Sequence, residues 1–201
     1  IAHITKIKNT LGKTGSNWLE IKEKIDCLHG NGPADLMEVT HLLSGTMIYL
    51  GKRAISIEQG IEISKKMIED GSAWNKFLEI VSEQEGDIKI IENTEKYPQS
   101  KFSSKIVAES DGWIHSIDAL TVGLTSIKLG AGRQKSTDIV DPKAGIVLNK
   151  KPGDSVKKGD TILSVYTDKN SQVDVAYAEL KSAVSIKKEK INPPKTILKS
   201  L

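Results

Sequence analysis

Four histidines (His3, His29, His41 and His115), one cysteine (Cys27) and the run Leu129-Gly130-Ala131-Gly132-Arg133 are the first candidates for chemistry in this chain. No two histidines stand three or four apart, so no local pair of metal ligands is encoded. His41 sits in a helical pattern and His115 in a strand pattern, and both read as structural. Cys27 adjoins an apolar helix face with no neighbouring base, which is the setting of a buried, inert thiol. There is no Gly-x-Ser-x-Gly and no phosphate loop ending in Gly-Lys-Ser/Thr. The run around Gly130, Gly132 and Arg133 pairs a flexible backbone with a permanent cation, a combination suited to an anion. Its other reading is a turn that stops a helix. Lys150, Lys151, Lys157 and Lys158 flank a turn and read as solvated charges.

The elements that must position these residues fall into two textures. Residues 1–7 read as a short strand. Asn17 and Glu20 form a capping box for a helix carrying Leu19, Ile21, Ile25 and Leu28, which ends at Gly30-Asn31-Gly32. Pro33 opens a second helix, with Leu36, Val39, Leu43, Met47 and Leu50 on its expected buried face, and Gly51 caps it. Ser56 and Gln59 open a third, with Ile57, Ile61, Ser64 and Ile68 inward and Gly71 as its stop. Trp74, Phe77, Leu78 and Val81 mark a fourth, ended by Gly86. Residues 92–104 read as a linker. Strands are expected at 105–108, 113–117, 144–148 and 161–166, with a helix from Asp118 to about Leu129. A last helix from about Ser171 should turn Val173, Ala176, Tyr177, Leu180 and Val184 inward, and Pro193-Pro194 should end regular structure.

The chain has 201 residues, enough for one or two domains. Aromatics make up only 4%, so Leu, Ile and Val must do most of the packing. The charge of +3 comes from interspersed signs, and no basic tail points to nucleic acid. A single cysteine excludes an internal disulfide and fits a reducing, cytoplasmic setting. No apolar run approaches the roughly 18 residues that span a membrane, and no signal peptide is present. The chain opens Ile-Ala-His-Ile-Thr without an initiator Met, as a processed product or an internal cut would.

Two resemblances follow. The segment PGDSVKKGDTILSVYTDK resembles the hammerhead of lipoyl and biotinyl carrier domains, with Lys169 in the place of the modified lysine. The continuation VDVAYAELKSAV has a helical pattern where a carrier needs a further strand. More extensively, TLGKTGSNWLEIKEKI, HGNGPADLMEVTHLLSGTMIYLGK and DGWIHSIDALTVGLTSIKLGAGRQKSTDIVDPKAGIVLNKKPGDSVKKGDTILSVYTDK resemble, in order, segments of the pyrimidine nucleoside phosphorylase or thymidine phosphorylase family.

This second resemblance covers nearly the whole chain. It implies an α/β fold of α+β character: residues 1–97 as the end of an α/β core, and residues 98–201 as a C-terminal domain with a lipoyl-hammerhead-like β-sandwich. It implies a pentosyltransferase that splits pyrimidine nucleosides with phosphate, a homodimer at full length, and no partnership with nucleic acid or membrane. The family's phosphate- and base-holding segments have no counterpart here, so no catalytic or substrate-binding residue is assigned. By position, a potassium-type monovalent cation would take the carbonyls of Leu11 and Thr14 and the carboxylate of Glu23. Gly130, Gly132 and Arg133 would form a mobile loop that orders as the enzyme closes. The family's Val-Gly-Asn-Ala is replaced here by Gly15-Ser16-Asn17-Trp18, and a non-catalytic relative acting as a binding or scaffold module is the alternative function.

Overall fold

A computed structural model describes residues 3–5, 11–193 and 195–200. In chain order the elements are strands β1 (His3–Thr5) and β2 (Thr14–Ser16), then helices α1 (Trp18–Leu28), α2 (Ala34–Leu50), α3 (Ile57–Glu69), α4 (Ser72–Glu83) and α5 (Ile88–Glu92). After a 3-10 turn at Thr94–Lys96 come β3 (Phe102–Val107), β4 (Gly112–Ile117) and α6 (Ala119–Ser126), which runs on as a widened turn over Ile127–Ala131. Strands β5 (Gly145–Leu148), β6 (Ser155–Val156) and β7 (Thr161–Thr167), helix α7 (Val173–Ala183), and strands β8 (Val184–Lys187) and β9 (Ile197–Ser200) complete the chain. The fold is α+β. It divides into a helical unit, Lys22–Pro98, and a mixed unit made of Ile1–Ile21 with Gln99–Leu201.

In the helical unit, Ser56 accepts from the Gln59 amide at 3.2 Å to cap α3. The Gln59 side chain closes the box on the Ile55 N–H, one residue before the cap. The expected inward face of α3 holds, with Ser64 buried and Ile57, Ile61 and Ile68 half-buried. The expected face of α2 does not. Val39, Gly45 and Thr46 are buried there, whereas Leu43, Met47 and Leu50 are exposed. The cause is a close helix crossing. A Cβ on Gly45 would lie 2.6 Å from the Ile61 backbone nitrogen, so the two backbones touch where only glycine fits. That contact turns the Gly45 side of α2 toward α3.

In the mixed unit, one antiparallel sheet has the order β2-β5-β7-β3 and another the order β6-β4-β8, and β1 pairs with β9. The two larger sheets feed one core together with α6 and α7, built from Ile106, Ile114, Ile146, Leu163, Leu129 and Leu180 among others. Asp118 caps α6 by accepting from the Thr121 amide at 3.0 Å.

Two four-residue turns repeat one device. In 151–154 and 157–160 the last residue, Asp154 or Asp160, accepts from the first residue's N–H, at 2.8 and 3.0 Å. Gly153 and Gly159 take φ of +100° and +93°. The first turn exchanges two backbone hydrogen bonds with Ile114, and the second exchanges two with Ala108. Lys151 opens the first turn with Lys150 just before it, and Lys157 and Lys158 are the first two residues of the second.

Several expectations need correction. Strand β3 begins at Phe102, inside the expected linker, because its partner β7 extends to Thr167 and pairs with it there. Val184 continues the spacing of α7 but opens β8, where pairing with β4 outcompetes another helical turn. Tyr177 is 37% exposed. Regular structure resumes after Pro193 as β9. The short β2 was not anticipated. Of the expected strand 1–7, residues 1, 2, 6 and 7 lie outside the described residues, as does Pro194.

Candidate functional site

The glycine run lies at the end of α6, where Leu129 and Gly130 are buried. Gly130 takes φ +113° and ends the helical path. The carbonyls of three consecutive residues are then occupied. Leu129 accepts from the Thr167 hydroxyl at 2.7 Å, Gly130 from the Asp141 N–H at 2.9 Å, and Ala131 from the Asn17 side-chain amide at 3.0 Å. On the return side the Trp18 N–H donates to the Pro142 carbonyl at 3.0 Å. Residues 131–142 therefore form a loop with both ends tied to the start of α1. Within it, Asp138 accepts from the N–H groups of Gln134 and Lys135, both at 2.9 Å, and these bonds hold its carboxyl below the usual range.

Beside the neck of this loop, Lys143 pairs with Asp168, whose other oxygen accepts from the Lys101 N–H at 2.8 Å. The Lys143 contact first, and the Lys101 N–H with it, hold the Asp168 carboxyl below its usual range. The Lys169 side chain lies about as close to Gly130 as van der Waals contact with an added Cβ would allow, 3.5 Å at its Cε. Lys169 does not sit at a hairpin tip. It follows β7 and leads through a 3-10 turn at Asn170–Gln172 into α7, without the return strand a carrier lysine needs.

The expected loop residues separate in role. Gly130 is buried and takes the left-handed turn that ends the helical path. Gly132 is half-buried against Ile127, and Arg133 is exposed. The arrangement presents a guanidinium, able to make two parallel hydrogen bonds to an anion, on a loop whose base is fixed. Sequence reasoning missed Asn17, Thr167 and Asp141 as the anchors of that base.

Thr167 is fully buried, and its hydroxyl oxygen also accepts from the Lys169 N–H at 3.0 Å. Thr167→Val keeps the shape but strands the buried Leu129 carbonyl and frees the Lys169 N–H. It should cost about 1–3 kcal/mol, read as a lowered urea midpoint with unchanged slope.

Of the expected cation ligands, Leu11 is exposed and Thr14 opens β2, both in the mixed unit, while Glu23 is buried on α1 in the helical unit. Glu20 accepts from the Ser16 N–H at 3.1 Å, one residue before the expected Asn17 cap, and the Asn17 side-chain amide donates to the Ala131 carbonyl instead.

Among the described residues no three His, Cys, Asp or Glu side chains gather as a metal site. His29 donates to the Ile25 carbonyl at 2.9 Å and packs at a tilt against Trp74, with ring centres 4.5 Å apart. His41 meets the Ser64 hydroxyl at 3.0 Å, and desolvation together with Lys65 pushes its pKa down. Burial, with Glu23 and Asp26 nearby, pushes the pKa of the half-buried Cys27 thiol up. No helix among the described residues is long and apolar enough to cross a membrane.

A family model described as pyrimidine nucleoside phosphorylase C-terminal domain matches residues 113–187. The chain is 39% identical over 186 residues to a pyrimidine-nucleoside phosphorylase of Staphylococcus epidermidis, covering 92% of this chain and 43% of the relative. It is 35% identical over 197 residues to the pyrimidine-nucleoside phosphorylase of Geobacillus stearothermophilus, covering 98% and 45%. With the thymidine phosphorylase of Metamycoplasma hominis it shares 35% identity over 187 residues, covering 93% and 68%. The chain thus spans less than half the length of the Staphylococcus and Geobacillus relatives.

Proposed function

Because the chain belongs to the pyrimidine nucleoside phosphorylase family, we propose that it forms part of an enzyme that splits thymidine- or uridine-type nucleosides with phosphate. The observation that carries this reading is the 35% identity over two thirds of a thymidine phosphorylase. In the proposed reaction a phosphate oxygen bonds to C1′ of the sugar as the bond to the base nitrogen breaks. The electron pair leaves with the base, which takes up a proton. The groups that cradle phosphate and hold the base belong to polypeptide outside this chain. The role of these residues is closure: Gly132 flexes, and Arg133 brings its charge to the bound anion while the anchored neck stays in place. We place the enzyme in the cytoplasm as a homodimer.

The chain alone should release no thymine or uracil from nucleoside and phosphate. Joined behind the unmatched part of the Staphylococcus relative, it should do so. Arg133→Ala in the joined protein should then lower kcat/KM about 10–100-fold, the scale of a charge-assisted hydrogen bond, at unchanged Tm. Turnover by the chain alone would refute the reading.

A second reading, a non-catalytic relative, draws on Ser16. This residue stands where the family has glycine, and its buried hydroxyl makes no hydrogen bond. An inactive joined protein with intact fold would favour it.

A further inference from the structure

From Val39 to Leu50, twelve residues of α2 carry no Asp, Glu, Lys or Arg, in a chain that is 27% charged. One side of this stretch is closed: Val39, Gly45 and Thr46 are buried, and His41 meets Ser64 of α3. On the other side Leu43, Met47 and Leu50 recur at i, i+4 and i+7, exposed at 47%, 66% and 60%. The exposed faces of α3 and α4 are different in kind. They carry Glu58, Glu62, Lys65 and Lys66, and Lys76 and Glu79, with ion pairs Lys65–Glu62 and Lys76–Glu79. A helix face that carries no charge and presents a Leu–Met–Leu stripe is built to be covered, whereas α3 and α4 are amphipathic surface helices.

Two occupants are available, a second copy of this chain or the polypeptide that the relatives carry beyond the matched stretch. The stripe from Leu43 to Leu50 is only about 10 Å long. That is too short for the roughly 800 Å² per partner of a standard two-fold interface. It also has no charges to fix a register between identical copies. The relatives, in contrast, carry more than half their length outside the match, since 43% of the Staphylococcus relative and 45% of the Geobacillus relative are covered.

We propose that the Leu43–Met47–Leu50 face of α2 is the docking surface for that remaining polypeptide, which packs on it as a second apolar layer. The inference rests on the family reading above and concerns how the two parts associate, independent of catalysis.

The test uses the unmatched part of the Staphylococcus epidermidis relative in two formats. Co-expressed as a separate polypeptide with the tagged chain, it should be retained at a 1:1 ratio. Met47→Glu with Leu50→Glu should cut retention at least tenfold with unchanged far-UV circular dichroism. Leu120→Glu, at an exposed leucine of α6 in the mixed unit, should leave retention as it was. Joined ahead of this chain in one polypeptide carrying Cys27→Ala and Met47→Cys, it should slow maleimide labelling of position 47 at least tenfold relative to the chain alone. Equal labelling in the joined and free forms overturns the proposal even if the separate polypeptide fails to fold. So does a chain that sediments as a dimer and is dissociated by Met47→Glu. Protection at position 47 without phosphorolysis leaves the docking surface standing and removes the catalytic reading instead.

Discussion

Gly60→Ala should destabilise the helical unit by roughly 3 kcal/mol, at the upper end of what overpacking costs. Two effects oppose each other at this position. Alanine in a helix interior gains about 0.5–1 kcal/mol over glycine. Against that, a Cβ on Gly60 would fall well inside contact with the Gly45 carbonyl oxygen and 2.9 Å from its carbonyl carbon. Those atoms belong to the backbone and cannot rotate aside, so α2 and α3 would have to separate and expose Val39, Thr46 and Ser64. The clash therefore wins. Gly123 in α6 is the contrast, since a Cβ there would meet nothing within 4 Å. Gly123→Ala should stabilise by about 0.5–1 kcal/mol. Urea unfolding followed by circular dichroism reads both changes. If Gly60→Ala unfolds at the native midpoint, the helix crossing described above is wrong.

The second large effect is expected at Gly145, opposite Ser16 in the β2–β5 pair. An added Cβ would press on the Ser16 side chain, 2.7 Å from its Oγ, and stand 2.9 Å from the Gly15 carbonyl oxygen. Gly145→Ala should cost about 2–3 kcal/mol and loosen β2 from its sheet. Ser16 is itself unfavourable, because its buried hydroxyl lacks a hydrogen bond. Ser16→Ala should therefore stabilise by about 1 kcal/mol. Ser16→Gly should recover part of the Gly145→Ala loss, so the two changes couple in a double-mutant cycle. Strict additivity of the pair would count against the contact.

The sequence made the local elements readable and left the long-range pairings unread. Ser56 with Gln59 and Asp118 with Thr121 announce helix starts because caps act over three residues. The strands near 144–148 and 161–166 show in their apolar runs. The face of α2 was not readable, since apolar residues with neutral polar ones among them surround its last twelve residues and offer periodicity no single answer, and the Gly45–Gly60 crossing decides it. Strand β2 has three residues, and its partner lies some 130 positions away, so no local pattern marks it. At the candidate site, Gly130 and Arg133 stand out by residue type. Asn17, Thr167 and Asp141 do not, because they act by donating to main-chain carbonyls, a role that requires no characteristic spacing. Asn17 looked like a helix cap, and its side chain serves a loop more than a hundred residues downstream.

The paired turns at 151–154 and 157–160 carry a consequence for how this gene can change length. Each clamps one residue, Ile114 or Ala108, and those two residues stand the same six positions apart as the turns themselves. The two stretches therefore mesh like teeth of equal pitch. A codon gained or lost between the turns shifts one clamp relative to the other and is accommodated only by a matching change between Ala108 and Ile114. Insertions and deletions among homologues should accordingly be absent from both intervals or present in both, while the exposed stretch around Ser136 and Thr137 is free to vary in length on its own.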